Sequence, residues 1–363
     1  MFSSTMLHIL LAIMLFSLSG CDLIASLTGQ NNAQQDHQKP ATAQFTFAVA
    51  PHIAWMPWYL AQEEGIFHQY AAKHQVEVQL IKDNYLDTIN KFISKEYDAI
   101  AISNIDAIAQ LVRRHIKVDV ILITNEHKGS EAILVPETAD TTGHHFRDKT
   151  FALLQYSARH YLFDRYLIRN QIPFDEINIL NTAEEDILNA FSNKKVYGVV
   201  THNPNLYTLT HSAAAKRLFD SRQIPKEIFD LIIIHRETLT KYPAFAQVIL
   251  ATWFTVMQRL QGSKKDTTLD ALAGLANITR QEYDEQLATT LLNDTSTKAL
   301  AAIRDRRIIK AMRHIRYFIQ RHKLIDDDIY TDWVSYPGRD PALLHFNGKP
   351  LQKFVVPTVA NQT

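Results

Sequence analysis

The 363-residue chain has one cysteine, Cys21, no net charge and no apolar run of membrane-spanning length. With 38 Lys plus Arg against 38 Asp plus Glu, no global charge favours nucleic acid as a partner. The longest apolar stretch, Met6 to Leu18, is too short to span a bilayer and sits at the very start. The adjacent His144 and His145 point differently in most backbones, so the pair does not predict a metal site, and no cofactor is expected. What is present is ordinary: 46% apolar and 21% charged residues, in a chain long enough for two well-packed lobes.

The N-terminal segment reads as an address. Its apolar run ends in Leu18-Ser19-Gly20-Cys21, small residues before the cysteine, and this resembles the bacterial lipoprotein signal, in which the chain is cut before a cysteine that becomes lipidated. One departure is that no Lys or Arg precedes the run. The resemblance implies a signal peptide over residues 1–20, a lipid anchor on Cys21 and a mature protein without a free thiol. Disulfide, thiolate and cysteine–metal chemistry then fall away. Asp22 looks like the inner-membrane retention signal of some enteric lipoproteins. Residues 21–43, rich in Gln, Asn and Ala, read as a flexible tether.

The folded part opens at Gln44. Phe45 to Ala50 alternates as a strand, Pro51, His52 and Pro57 break it, and Trp58 to His68 reads as a helix. Such a unit begins an open α/β sheet, whose ligands gather at the C-terminal strand ends. Trp55, Met56 and Tyr59 fall at that end. Val76 to Ile81, Tyr97 to Ser103 and Val118 to Thr124 read as further strands, the last two buried, with a helix from Asn84 to Ser94 and another from Ile105 to Arg114. Ser103 or Asn104 caps the latter, with Asp106 in its first turn. Glu131 to Val135 leads out of the first lobe. A second α/β unit follows, with strands at Thr150–Leu154, Ile177–Leu180 and Val196–Thr201, and with junctions at Tyr156-Ser157 and His202-Asn203-Pro204. Asp230 to His235 reads as the return crossing. Then come a helix over Thr238–Gln261 started by Pro243, a loop over Gly262–Thr268, a helix near Ile278–Leu292 and a basic helix over Ala299–Lys323. Ile308, Ile309, Met312, Ile315 and Ile319 give that last helix one apolar face, so its charge is a solvated surface. The tail from Trp333 to Val356 straps across one lobe.

Laid out in this order, the chain resembles the substrate-binding lipoproteins of bacterial import systems, in the branch of the nitrate, sulfonate, taurine and thiamine-pyrimidine binding proteins. The pieces that carry the resemblance are Ala54-Trp55-Met56-Pro57-Trp58-Tyr59-Leu60-Ala61, Glu64-Gly65-Ile66-Phe67, Tyr97-Asp98-Ala99-Ile100, Val199-Val200-Thr201-His202-Asn203-Pro204, and Phe318-Ile319 with Asp332-Trp333-Val334. It implies a type II periplasmic-binding-protein fold, two α/β lobes joined by a hinge in Venus-flytrap fashion. Lobe one takes residues 44–134 and 233–363, and lobe two takes 135–232. It further implies a monomer on the periplasmic side of the membrane that delivers a small molecule to an ABC permease in the inner membrane. Carried over by position, the ligand-binding residues are Trp55, Met56, Tyr59, Ser103, Asn104, Asp106, Gly129, Ser130, Tyr156, Ser157, His202 and Asn203. Many relatives have tryptophan where this chain has His202, so ligand identity does not transfer.

The residues admit a polar ligand of either kind. Amides at the helix starts near Ser103 and Ser157 suit an anion or carbonyl, whereas a buried Asp106 opposes an anion and suits a nitrogen compound such as an amidine or pyrimidine. Catalytic residues are not expected, although a hydrolase using Ser103, Ser130 or Ser157 with His52, His127 or His202 is an alternative. A ligand-sensing or structural lipoprotein is another.

Overall fold

The structure, a computed structural model, describes residues 42–141, 146–212, 214–324, 334–335 and 342–354. The leader with Cys21, the tether up to residue 41, His144-His145 and Asp332-Trp333 lie outside the described residues.

β1 (Ala43–Val49) and β2 (Val76–Lys82) pair in parallel, Phe47 opposite Leu80. A parallel pair needs a crossover, here a short turn at Ile53–Trp55 and two helices, Met56–Glu63 and Ile66–Lys73. The single helix expected over residues 58–68 is broken at Gly65, whose φ of +69° a side-chain-bearing residue adopts only at a cost. The other strands among the described residues are β3 (Ala99–Ser103), β4 (Val118–His127), β5 (Glu131–Pro136), β6 (Thr150–Leu153), β7 (Asn178–Asn181), β8 (Gly198–His202), β9 (Ala215–Asp220), β10 (Phe229–His235), β11 (Thr290–Leu292), β12 (Val334–Ser335) and β13 (Leu344–Phe346).

Two sheets result. The first runs β12-β13-β4-β10-β3-β1-β2, with β11 paired to β4, and the second runs β7-β6-β8-β5-β9. Every residue of β3 and β10 is buried, because helices cover both faces of the first sheet at its centre. β10 is antiparallel to β3 and β4, as a strand returning from elsewhere must be if it enters from the far end. The chain therefore passes to the second sheet between His127 and Glu131 and returns between Asp220 and Phe229, earlier than the boundaries at 134 and 232 read from sequence. Apolar runs such as Glu131–Val135 and Asp230–His235 announce a buried strand but not the sheet it joins.

Both passages are pinned. Gly129, at φ +107°, donates its N–H to Ser221 Oγ at 2.7 Å, tying one passage to the other. Asn104 donates from Nδ2 to the Glu227 carbonyl at 2.9 Å and accepts from the Phe229 N–H at 3.1 Å, so one side chain satisfies both groups as the chain re-enters the first sheet. In the second sheet Gly198 permits a close approach that no other residue allows. A Cβ there would lie 2.6 Å from the Leu134 carbonyl and 2.7 Å from the Phe151 ring.

The helix Pro243–Gln261 closes one face of the first sheet. Its Trp253 meets Trp58 with ring centroids 4.9 Å apart, and its Phe245 stacks on Phe45 at 4.6 Å. Burying such rings stabilises by roughly 2–3 kcal/mol each. Two readings from sequence are corrected beyond it. The loop over 262–268 already contains the start of a helix, Lys265–Ala276. The long basic helix is two, Ser296–Arg304 and Arg307–Arg321, separated by Asp305 and Arg306, where the Asp305 side chain takes the Arg307 N–H at 2.9 Å. Ile308, Met312, Ile315 and Ile319 of that second helix are buried, as their spacing predicts. The tail does more than strap the lobe, since β13 adds to the first sheet beside β4, Leu344 opposite Val118.

Candidate functional site

A cavity of about 320 Å³ lies between the two sheets and is lined from both. The first sheet contributes His52 and Trp55 after β1, Asn84 to Asp87 at the start of the helix Tyr85–Ile93, Ser103 at the end of β3, His127 at the end of β4, and Asp230. The second contributes Glu131 on β5, Leu154 after β6, Arg159 in the first turn of the helix Ala158–Arg169, Ala183 to Glu185, and His202 at the end of β8. Local chemistry aims these groups. Asn84 caps the helix after it by accepting the Leu86 N–H at 2.9 Å, and Ser157 accepts the Arg159 N–H at 3.2 Å, which places the arginine at the cavity wall.

The charges form a connected set. His127 Nε2 donates to Asp230 Oδ1 at 3.1 Å, and Asn125 Nδ2 donates to Asp230 Oδ2 at 2.9 Å. Burial works against the His127 imidazolium, but Asp230 and Glu131 outweigh it and raise its pKa above the ordinary value. Burial likewise raises the Asp230 carboxyl, and His127, His52 and Asn125 more than reverse this, holding it below the usual carboxylate range. Glu131 Oε1 stands 3.6 Å from both His127 Nδ1 and Arg159 Nη1, while Glu184 Oε2 stands 3.7 Å from Arg159 Nε and 3.8 Å from His202 Nε2. These separations attract but are too long to be hydrogen bonds. His52 differs: burial, helped by His202 and His127, lowers its pKa to about 3 against the pull of Asp230, so its ring is neutral.

As a result the wall holds polar atoms that are buried and have no hydrogen-bond partner: Trp55 Nε1, His52 Nδ1, His127 Nδ1, Glu131 Oε2, Arg159 Nε and Glu184 Oε2. Each such group costs about 1–3 kcal/mol. Donors and acceptors left open together around one concavity mark a place for a polar guest.

Of the residues predicted from sequence, Trp55, Ser103 and His202 line this cavity. Asp106 stands one step behind, only 4% exposed, accepting from Tyr85 Oη at 2.8 Å and Ser103 Oγ at 2.7 Å; its burial raises its pKa despite Arg159 and those donors. The others do not line it. Met56 is core, and Tyr59 donates to the Val49 carbonyl. Asn104 and Gly129 hold the passages, and Ser130 is buried beside them, its carbonyl accepting the Asn203 N–H at 3.3 Å. Tyr156 is 38% exposed, Ser157 is a helix cap, and Asn203 donates to Thr289 Oγ1 at 3.1 Å. His52, Tyr85, His127, Glu131, Arg159, Glu184 and Asp230 line the cavity without having been singled out as ligand contacts. Two carried a readable signal: Glu131 opens an otherwise apolar strand, and Asp230 follows Phe229 in a strand that is apolar from there to Ile234.

A nucleophile needs a base in hydrogen-bond reach. Ser103 Oγ donates to Asp106, Ser157 Oγ donates to the Leu154 carbonyl at 2.7 Å, and Ser130 Oγ is buried without a partner, so none of the serines of the hydrolase alternative is bonded to the histidine base that it requires. Among the described residues no group of three or more His, Cys, Asp or Glu is disposed to hold a metal ion, and no helix is long and apolar enough to cross a membrane.

The sequence matches the NMT1-like family over residues 38–276. No curated protein matches it. Among solved structures it is similar to the periplasmic aliphatic sulphonate binding protein SsuA from Escherichia coli, with a TM-score of 0.66 at 14% identity over 79% of this chain and 95% of that one. It is also similar to the alkanesulfonate-binding protein SsuA from Xanthomonas axonopodis pv. citri bound to MOPS, with a TM-score of 0.63 at 15% identity over 78% and 95%. A third is the ligand binding component of an ABC-type import system from Staphylococcus aureus with zinc bound, at 0.64 and 14% over 86% and 99%. Likeness at such identities speaks to the fold: two α/β lobes with a cleft between them, the type II periplasmic-binding-protein architecture.

Proposed function

The chain belongs to the NMT1-like family, and from that premise we propose that it is the solute-binding component of an ABC import system. It captures a small polar molecule between its lobes and presents the closed form to an inner-membrane permease. The supporting observation is the interlobe cavity whose buried donors and acceptors have no partners within the protein. The lobes close about the two passages at 128–130 and 221–228. Trp55, Ser103 and His202 contact the solute directly, together with Glu131, Arg159 and Glu184. Asp106 orients Tyr85 and Ser103 from behind, and Asn104, Gly129, Ser130 and Asn203 serve the passages. A lipid on Cys21 keeps the protein, as a monomer, on the periplasmic side of the membrane.

The deciding experiment is a native mass spectrum of the purified protein, repeated after unfolding. Binders that close over a ligand often retain it. A small molecule carried by the native form and released on denaturation is the expected result. An empty protein whose apparent stability also fails to rise with any of a panel of nitrogen compounds, sulfonates and pyrimidines would instead favour a sensor or structural lipoprotein.

A further inference from the structure

Resting on the solute-binding reading, we infer that the cavity selects a small organic cation of guanidinium or amidinium type and rejects sulfonate- and nitrate-like anions. The lining holds five carboxyl groups, on Asp87, Glu131, Glu184, Glu185 and Asp230, against the one arginine, Arg159, and the histidines His52, His127 and His202. Of the histidines, His52 is neutral, and His127 is already engaged by Asp230 at 3.1 Å. The interactions of Arg159 with Glu131 and Glu184 oppose the charge that an anion would seek.

The helix starts tell the same story. An exposed helix N-terminus is an anion site, and at this cavity the start of Tyr85–Ile93 already carries the chain's own acid, Asp87. Glu184 and Glu185 bring two more carboxyl groups to the lining from the short turn Glu184–Asp186, and Asp106 adds one behind it. Two further starts carry no acid in the first turn: Ala158–Arg169 has Arg159 there, itself flanked by two glutamates, and Met56–Glu63, whose N-cap Trp55 lines the cavity, has no charged residue there.

Open acceptors complete the case. Glu131, a lining residue, is 1% exposed, and its Oε2 is buried with no hydrogen-bond partner; the same holds for Glu184 Oε2. A planar cation with several N–H groups fits carboxylate acceptors, and the Trp55 and Tyr85 rings, 6.0 Å apart and inclined at 36°, offer faces to a flat positive group. The open donors, Trp55 Nε1 and Arg159 Nε, leave room for one carbonyl or carboxylate elsewhere on the same molecule.

The test uses the full-length protein and four probes, methylguanidinium, benzamidinium, ethanesulfonate and nitrate, in isothermal titration and thermal shift. The cations are expected to bind at least roughly tenfold tighter than the anions, and Glu184→Gln to weaken them by roughly tenfold. Glu131→Gln should do the same; if it fails to fold, Glu184→Gln and the exposed Asp87→Asn carry the comparison. Tighter binding of ethanesulfonate or nitrate overturns the inference, as does cation binding indifferent to these substitutions. Silence from all four probes overturns it too, and the native mass spectrum then separates the two readings. A retained anion leaves solute binding standing, whereas an empty protein that the wider panel of nitrogen compounds, sulfonates and pyrimidines also fails to stabilise removes both.

Discussion

His127 and Asp230 form a buried pair across adjacent antiparallel strands, His127 Nε2 donating to Asp230 Oδ1 at 3.1 Å where β4 and β10 reach the cavity floor. The two shifts reinforce each other: burial penalises both charges, yet each holds the other ionised, raising the histidine and lowering the carboxyl. Such a pair contributes little beyond a well-packed apolar pair, but removing one partner strands the other's charge in the interior.

Asp230→Asn is therefore expected to destabilise the protein by roughly 3 kcal/mol, and the penalty should depend on pH. Asp230, with its folded pKa depressed, contributes stability above its unfolded pKa and loses it as pH falls through the folded value. His127, with its folded pKa raised, contributes below its unfolded pKa near 6.5 and loses it as pH rises through the folded value. The penalty should be largest between about pH 4 and 6.5. Urea titrations of the two proteins across pH 4–9 measure it, and a penalty flat over that range would contradict the pairing.

His160 predicts the acid limb. It is buried against Phe318 at 5.1 Å and His322 at 4.3 Å, and burial, aided by His322 and opposed by Asp164, lowers its pKa to about 3. The unfolded chain takes up a proton below about pH 6.5 that the folded chain refuses, so stability falls as pH drops from about 6.5 toward 3, by about 3 kcal/mol at pH 4 from this group. His160→Phe should flatten that decline, and it lies away from the cavity lining, so ligand effects do not enter. Equal acid sensitivity in the two proteins would remove the assignment.

What the sequence makes legible divides by range. Alternation and apolar runs locate β1, β3, β4 and β10 because each pattern is local, and Ser103, Asn84 and Ser157 cap helices where short polar side chains precede helical spacing. The tail strand β13 was hidden because its pairing partner, β4, is more than two hundred residues earlier in the chain. The cavity was half legible for the same reason. Trp55, Ser103 and His202 sit at strand ends that the α/β pattern itself identifies, whereas the approach of Glu131 to Arg159 and of Arg159 to Glu184 exists only once the two sheets face each other. Asn104 shows the converse: strand-end position made it look like a ligand contact, and its two bonds into the returning passage are invisible without the fold.

That difference can be measured. If Asn104 is a pin rather than a ligand contact, Asn104→Ala leaves the Glu227 carbonyl and the Phe229 N–H unpaired, at a cost of roughly 2–3 kcal/mol, while the cavity wall keeps every group it had. The unfolding midpoint in urea should fall, and whatever molecule the wild-type protein retains should be retained by the variant at temperatures where it is folded. Trp55→Ala should behave in the opposite manner, taking from the cavity one of its two aromatic rings and an open N–H and abolishing retention. A folded Asn104→Ala protein that has lost the ligand would return this residue to the binding surface, and would mean that the passage is held by other bonds, such as that from Gly129 to Ser221.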